Sequence, residues 1–314
     1  MTSTATVGDP AASQRILVRL MLLSVAAALV TIALKLAATL VTGSVGFLSD
    51  AMESVVNLVA ALVGLWAVRL AARPADLGHH FGHGKAEYLS AALEGALIFV
   101  AAMAILWTSI QRLIEPVPIE EVGLGLALSA VAAVVNLVVG LTLLRVGKRE
   151  RSIALTADGH HLLTDVVTSV GVFVGITLVA IFDWVILDPI VALLVGVNIL
   201  YTGYGLLSRS VTALLDAAIP AEDLVHVNQV LDHYRSIEPV DFHALRTREA
   251  GRQRFVYVHL LVPDEWTVKR GHDLADDLVV DIAQALPGSH TFVHMEPIGD
   301  PSSYDHPEVP TPST

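Results

Sequence analysis

His161 and Asp165 are four residues apart in a stretch of sequence that is otherwise apolar. In a helix this spacing puts the imidazole and the carboxylate on one face, one turn apart. A charged side chain inside a bilayer costs roughly 2.5–3.5 kcal/mol on insertion scales, so such groups usually serve a function. Glu53 and Asn57 repeat the spacing in an earlier apolar segment. Two such pairs facing each other would offer four ligands to a divalent metal ion within the membrane.

The donor types limit the choice of metal. One imidazole, two carboxylates and one neutral amide can form a tetrahedral set, which suits Zn²⁺. Three oxygen donors also shift the preference towards harder ions such as Mn²⁺ or Fe²⁺. The chain has no cysteine, which excludes thiolate ligands and disulfides. The competing interpretation is hydrogen bonding between helices through buried polar side chains.

A polar segment at residues 74–85 is a second candidate metal site. It contains three histidines and one aspartate within eight residues: Asp76, His79, His80 and His83. Its glycines allow the chain to fold back on itself. This density of donors predicts metal binding, whereas the simpler alternative is a solvated polar loop.

The C-terminal part provides a third set of donors. It contains seven histidines and one nearby glutamate, namely His226, His233, His243, His259, His272, His290, His294 and Glu296. His243 and His259 fall on two strands that we expect to pair. His294 and Glu296 are two apart on a strand and therefore share a face. The set predicts a metal cluster bridged by histidine or carboxylate, although any one of these histidines alone is more simply a surface residue.

Hydropathy predicts the elements that position these donors. The chain of 314 residues is 54% hydrophobic and 16% charged, with a mean hydropathy of +0.64. Soluble domains average about 25% charged residues. Six apolar segments can each supply the roughly 20 residues that a bilayer core requires. They cover about 16–41, 45–71, 86–113, 121–146, 153–182 and 186–209. We therefore predict six transmembrane helices, the first of which is too long for a cleaved signal peptide.

Basic residues predict the orientation. Lysines and arginines fall at one side of the predicted bundle, at Arg15, Arg19, Arg69, Arg73, Lys85, Arg145, Lys148, Arg149 and Arg151. Because cytoplasmic loops carry an excess of Lys and Arg, this side is predicted to be cytoplasmic. Both termini then lie inside the cell, and the protein is a multi-pass protein of the inner (plasma) membrane.

The sequence divides into four regions. We predict an N-terminal tail at 1–15, a six-helix transmembrane domain at 16–212, a cytosolic metal-binding dimerisation domain at 213–300 and a disordered tail at 301–314. The patterns after residue 212 follow the order α-β-β-α-β, which indicates a small α+β domain. From Asp216 onward there are 17 acidic and 7 basic residues. This charge argues against nucleic acid as a partner.

Together these motifs resemble the cation diffusion facilitator family of divalent metal/proton antiporters, especially its bacterial iron and zinc efflux members. The resemblance covers about 16–298. It is carried by residues 81–87, by Ala157 and Asp158 followed by His161 and Asp165, and by residues 214–220. It implies a homodimer of six-helix units in membrane lipid, each with a metallochaperone-like cytosolic domain. It also implies export of Zn²⁺ or Fe²⁺, with Mn²⁺, Co²⁺ and Ni²⁺ as further options, from the cytoplasm in exchange for protons.

The resemblance implies roles for individual residues. The transport site corresponds to Glu53, Asn57, His161 and Asp165, the loop site to Asp76, His79 and His83, the cytosolic binuclear site to His243, His259, His272, His294 and Glu296, and a charge interlock between dimer halves to Lys85 and Asp216. The family's usual pair on the second helix is Asp or His followed by Asp. Glu53 and Asn57 depart from this pattern, so the site has one formal negative charge fewer.

Other functions remain open at this point. A non-transporting metal sensor or scaffold would use the membrane helices only as an anchor, but it leaves Glu53 and Asp165 unexplained. A passive channel would conduct without a pH gradient. An intramembrane metalloenzyme needs an open metal position and a general base. The sequence has no motif such as His-Glu-x-x-His, and we predict that the protein is not an enzyme.

Overall fold

The computed structural model describes residues 10–42, 45–115, 123–182 and 184–305. The chain divides into two compact units, one within Gly8–Thr212 and the other containing Ala213–Thr314. The described elements of the first unit are helices, and the second unit combines helices with a sheet. The predicted fold class, a helical membrane domain followed by an α+β domain, is confirmed.

Six long helices build the first unit. They are α1 Pro10–Thr42, α2 Val45–Ala71, α3 Ala86–Ile114, α4 Gly123–Arg149, α5 Ile153–Phe182 and α6 Leu187–Leu214. Judged on the described residues, α1–α4 and α6 are long and apolar enough to cross a membrane. The 30 residues of α5 span about 45 Å, which is also more than the hydrocarbon core of about 30 Å.

Large apolar side chains cover the outside of the helical unit. Leu40, Val100 and Leu194 are 86%, 64% and 69% exposed, whereas Asn57 and Asn136 are buried. An apolar exterior around a partly polar interior is typical of helices packed within lipid. The elements therefore place the polar donors inside the bundle.

Helices α3 and α6 approach each other closely at two glycines. A Cβ atom added to Gly95 would lie 2.7 Å from the backbone nitrogen of Leu207. One added to Gly203 would lie 2.8 Å from the backbone nitrogen of Phe99. Because no side chain fits at either position, the two backbones are in direct contact, as at small-residue interfaces between membrane helices.

The second unit follows the predicted order of elements. It contains α7 Ala221–Ile237, β1 Asp241–Ala250, β2 Gln253–Val262, α8 Val268–Ala285 and β3 Ser289–Pro297. The sheet order is β1-β2-β3, with β1 antiparallel and β3 parallel to β2. Parallel strands need a crossover, which α8 provides between β2 and β3.

The two helices cover one face of this sheet. Val256, Val258 and Leu260 of β2 are buried in one core with Leu231 of α7 and Leu278 of α8. Successive side chains of a strand point to opposite faces. The intervening residues of β2 therefore lie on the face opposite the helices.

A buried ion pair joins α7 to β2. Arg254 Nη2 lies 3.0 Å from Asp223 Oδ2, and both side chains are less than a tenth exposed. Arg254 also donates from Nη1 to the carbonyl oxygen of Pro287 at 3.2 Å. The guanidinium thus connects three segments of the domain.

Beyond β3, residues 301–304 form a short 3₁₀ helix, although the sequence predicts the start of a disordered tail there. The Asp300 side chain accepts a hydrogen bond from the backbone N–H of Ser302 at its start. The Tyr304 hydroxyl donates to the carbonyl oxygen of Ile298 at 3.1 Å. These contacts hold the turn against the end of β3. Residues 306–314 lie outside the described residues.

Candidate metal sites

The carboxamide of Asn57 on α2 lies between His161 and Asp165 on α5. His161 Nε2 is 2.6 Å from Asn57 Oδ1, and Asn57 Nδ2 donates to Asp165 Oδ2 at 2.5 Å. An amide oxygen only accepts, so the imidazole proton is on Nε2 in this arrangement. All three side chains are 5–6% exposed. The structure thus brings together three of the four residues predicted for the transport site.

Glu53 is the fourth predicted residue of this group. Its backbone lies in α2, one turn before Asn57. Its side chain is outside the described residues, and its place in the site stays a prediction.

Asn136 on α4 is a member of the group that sequence reasoning missed. Its Nδ2 donates to Asp165 Oδ2 at 3.2 Å, and the residue is 2% exposed. The Asp165 carboxylate therefore accepts hydrogen bonds from two asparagines on two helices. A single Asn in an apolar helix forms no spacing pattern with other polar residues. The only sequence signal for Asn136 was that an amide is unfavourable in hydrocarbon.

The second ring nitrogen of His161 is also buried. Among the described residues, Nδ1 has no hydrogen-bond partner. Either nitrogen of a neutral imidazole can ligate a metal, and the hydrogen bond at the other nitrogen sets which one does. The group therefore offers an imidazole nitrogen, an amide oxygen and a carboxylate oxygen, a set suited to first-row divalent metals.

The loop donors converge before α3. Ligand atoms of Asp76, His79 and His83 all lie within 4.8 Å of one another. Asp76 Oδ1 is 3.3 Å from His79 Nδ1, and Asp76 Oδ2 is 3.4 Å from His83 Nε2. The structure thus brings together the three residues predicted for a loop site.

Backbone hydrogen bonds stabilise the ionised form of the Asp76 carboxylate. The N–H groups of Gly78 and His79 donate to Asp76 Oδ1 at 2.9 and 2.8 Å. The hydrogen bond from Gly78 is the main reason why the pKa of Asp76 is lowered. Asp76 is therefore ionised, as a metal ligand must be.

The face of the sheet opposite α7 and α8 carries the third group. Glu296 Oε2 lies 2.8 Å from His243 Nε2 and 3.1 Å from His259 Nδ1. These three residues come from β3, β1 and β2, and they are adjacent because His243 is paired with His259 across the sheet. Burial lowers the pKa of His259, although the nearby Glu296 carboxylate opposes this effect. A neutral imidazole is the form that binds a metal.

The two remaining predicted ligands of this site differ in position. His294 Nε2 lies 3.3 Å from Glu296 Oε1, so it borders the group. His272 is on α8 and is exposed, with Nε2 3.5 Å from Asp276 Oδ2. Within the described residues of the second unit, the ligand atoms that all lie within 4.8 Å of one another belong to His243, His259 and Glu296. The structure does not bring His272 into that group.

Comparison with known proteins gives the family. Residues 21–215 match the cation efflux transmembrane domain, and residues 219–298 match the cytoplasmic domain of cation efflux proteins. The chain belongs to the cation efflux family. The predicted resemblance to cation diffusion facilitators is thereby confirmed. The cation efflux protein is thus a multi-pass membrane protein.

Several relatives are similar over nearly their whole length. The protein is 49% identical over 291 residues to an uncharacterized transporter of Synechocystis sp., covering 93% of this chain and 94% of that protein. It is 31% identical over 283 residues to the cation-efflux pump FieF of Salmonella typhimurium, covering 90% and 93%. A structure of the zinc form of CzrB is 34% identical and covers 27% of this chain and 96% of its own, with a TM-score of 0.25.

The predicted charge interlock involves one residue from each unit of the cation efflux protein. Asp216 Oδ1 accepts a hydrogen bond from Arg248 Nη1 at 3.1 Å, within the cytosolic unit. Lys85 directly precedes α3 in the helical unit. A contact between Lys85 and Asp216 stays a prediction.

Proposed function

We propose that this protein exports divalent transition-metal cations from the cytoplasm in exchange for protons. The observation that carries the proposal is the buried group of Asn57, His161 and Asp165. Its three donor atoms come from two helices of a membrane domain, where polar side chains are costly unless they are used. A sensor that is only anchored by its helices needs no such group, so transport is the favoured function.

The mechanism we propose is alternating access. When the site faces the cytoplasm, neutral His161 and ionised Asp165 bind the metal ion together with Asn57 and Glu53. Metal ligands must be deprotonated, so binding releases protons. When the site faces outward, protons compete for the same groups and the metal ion leaves. An imidazole suits this exchange because in water it titrates near pH 6.5.

Zn²⁺ and Fe²⁺ are the proposed physiological cations. The group offers one nitrogen and at least two oxygen donors. These donor types are compatible with every first-row divalent ion named above. Asn57 is the residue on which selectivity should depend, because an amide in place of a carboxylate reduces the charge that balances M²⁺. We therefore expect Asn57→Asp to change the order of metals transported.

The two other groups of donors are proposed as accessory metal sites. Metal bound to His243, His259 and Glu296 would stiffen the outer face of the cytosolic sheet, on which a second copy of the chain would pair. If the metal ion binds the transport-competent state of a homodimer more tightly than the other state, filling this site would favour that state. The loop group of Asp76, His79 and His83 would bind metal near the cytoplasmic entrance.

We propose the inner (plasma) membrane as the location, with both termini in the cytoplasm. Lys148 and Arg149 lie in the last turn of α4, and Arg69 lies in the last turn of α2. Both helix ends would then be cytoplasmic under the positive-inside rule. The homodimer would be surrounded by membrane lipid and held together by an interlock between Lys85 and Asp216.

Flux in proteoliposomes tests the proposal. Wild-type protein should move Zn²⁺ faster when a pH gradient is imposed, and His161→Ala and Asp165→Asn should each abolish this flux. His160→Ala is the matched control, because His160 is the adjacent histidine on α5 and lines a separate small pocket with Asn198 and Thr202. Undiminished flux in both site variants, or equal loss in His160→Ala, would refute the assignment of the site.

A further inference from the structure

Two carboxylates deep in the helical unit are not part of the sites described above. Glu94 on α3 and Asp158 on α5 are 0% and 1% exposed. Among the described residues, both carboxylate oxygens of Glu94 and Oδ2 of Asp158 have no hydrogen-bond partner. The two groups are close enough to interact electrostatically. Two buried, unpaired carboxylates of like charge require a neutralising partner.

Two hydroxyl groups adjoin the pair, and the residues around it come from four helices. The Ser24 hydroxyl of α1 lies beside Asp158, and the Ser90 hydroxyl of α3 lies beside Glu94. Neither hydroxyl has a hydrogen bond of normal geometry within the described residues. Gly64 of α2 borders the pair, since a Cβ atom there would lie 3.5 Å from Glu94 Oε1. The two hydroxyls are therefore oxygen donors next to the two carboxylates.

Glu87 on the same helix is a buried carboxylate with a structural role, and it serves as a comparison for Glu94. It is also buried, but its Oε2 accepts hydrogen bonds from the Ser152 hydroxyl at 2.5 Å and from the Ala154 backbone N–H at 3.4 Å. The bond from Ala154 satisfies a backbone N–H group in the first turn of α5, which has no partner within the helix. Within the described residues Glu94 accepts no such bonds, so a role in helix packing does not account for its carboxylate.

The donor set indicates which partner neutralises the pair. Two carboxylates and two hydroxyls are oxygen donors, which suit hard divalent cations such as Mn²⁺. Two negative charges balance one divalent ion. A proton on each carboxyl group would also neutralise the pair, and the amount of Mn²⁺ bound distinguishes this case from a cation site.

The pair lies beside the proposed transport site. Asp158 is three residues before His161 on α5, or about 4.5 Å along the helix axis. Glu94 is the ninth residue of α3, the helix that follows the loop containing Asp76 and His83. The pair is therefore between the loop end of the bundle and the buried group around His161.

We propose that Glu94 and Asp158 form a second divalent-cation site in the membrane domain, which holds the ion on its way to His161. The position on a route rests on the proposed transport function, whereas the binding of a cation does not. The ion would be held by the two carboxylates, with the Ser24 and Ser90 hydroxyls as further donors.

Mn²⁺ binding to the full chain in detergent micelles tests the site. Equilibrium dialysis should give one Mn²⁺ per chain fewer for Glu94→Gln and for Asp158→Asn than for wild type. Glu87→Gln is the matched control, a buried glutamate on the same helix, and should retain the wild-type count. An unchanged count in both site variants, or the same loss in the control, would overturn the proposal whatever happens to flux.

Wild-type protein offers a second test that needs no variant. The three other candidate sites each include a histidine, so Mn²⁺ bound there should show ¹⁴N coupling in pulsed electron paramagnetic resonance. Mn²⁺ at Glu94 and Asp158 should show none. A sample in which all stoichiometrically bound Mn²⁺ is coupled to nitrogen would overturn the site. Absence of flux in wild-type vesicles would refute the transport function alone.

Discussion

Replacing Asn136 with leucine removes the hydrogen bond that α4 donates to Asp165. A hydrogen bond to a charged group contributes about 1.5–3 kcal/mol. The nitrogen–oxygen distance of 3.2 Å is at the long end of the normal range, so the lower value applies. About 1.5 kcal/mol corresponds to roughly a tenfold change in affinity. Loss of a group that orients a metal ligand typically costs 10–100-fold, which agrees with this value.

The assay is Zn²⁺ flux in proteoliposomes as a function of Zn²⁺ concentration. Asn136→Leu should raise KM about tenfold with a much smaller change in the maximum rate, because the ligands themselves remain. Asn198→Leu is the control, because Asn198 is an exposed asparagine on a different helix, α6. A KM within twofold of wild type, or an equal rise in the control, would show that Asn136 does not position Asp165.

Three further predictions concern the cytosolic domain. Glu296→Gln should weaken Zn²⁺ binding at least tenfold in calorimetry, because it removes the carboxylate shared by two histidines; unchanged affinity would exclude a metal site there. Arg254→Met should lower the unfolding free energy by about 3–5 kcal/mol in urea titrations, because it removes the ion pair of the buried Asp223 carboxylate, and Arg254→Met with Asp223→Asn should recover part of the loss. Partial burial raises the pKa of Asp241, but hydrogen bonds from Arg235 and the backbone outweigh it and the net pKa is lowered. The ionised carboxylate therefore adds stability above its ordinary pKa, and this is lost as the pH falls through the lowered value. Arg235→Met should move its NMR titration midpoint upward, and an unmoved midpoint would contradict this reading.

The strongest sequence signals concerned elements and spacing. The pair His161 and Asp165 was visible because both residues interrupt an apolar run at helical spacing, and the structure places them on one buried group with Asn57. The α-β-β-α-β order followed from hydropathy periods. The parallel pairing of β3 with β2 could not be read from periods, because register and direction depend on contacts distant in sequence.

Contacts between helices were the part that sequence could not supply. Asn136 is an isolated polar residue in its part of α4, whereas Glu94 shares a face of α3 with Glu87 and Ser90. In neither case does the segment itself indicate what faces the residue. Conversely, His272 has the residue type of a ligand, but α8 places it beside Asp276 rather than with Glu296. Residue type suggests which chemistry is possible, whereas helix rotation and strand register decide which groups meet.

The glycine contacts between α3 and α6 limit how the helical unit can deform. Where side chains separate two helices, rotamer changes allow the helices to slide past each other. At Gly95 and Gly203 the backbones touch, so no layer of side chains is available to absorb a shift. The two helices should therefore move as one rigid body. Any opening towards the buried group must then come from the helices that carry Asn57 and His161, or from the boundary between those helices and this pair.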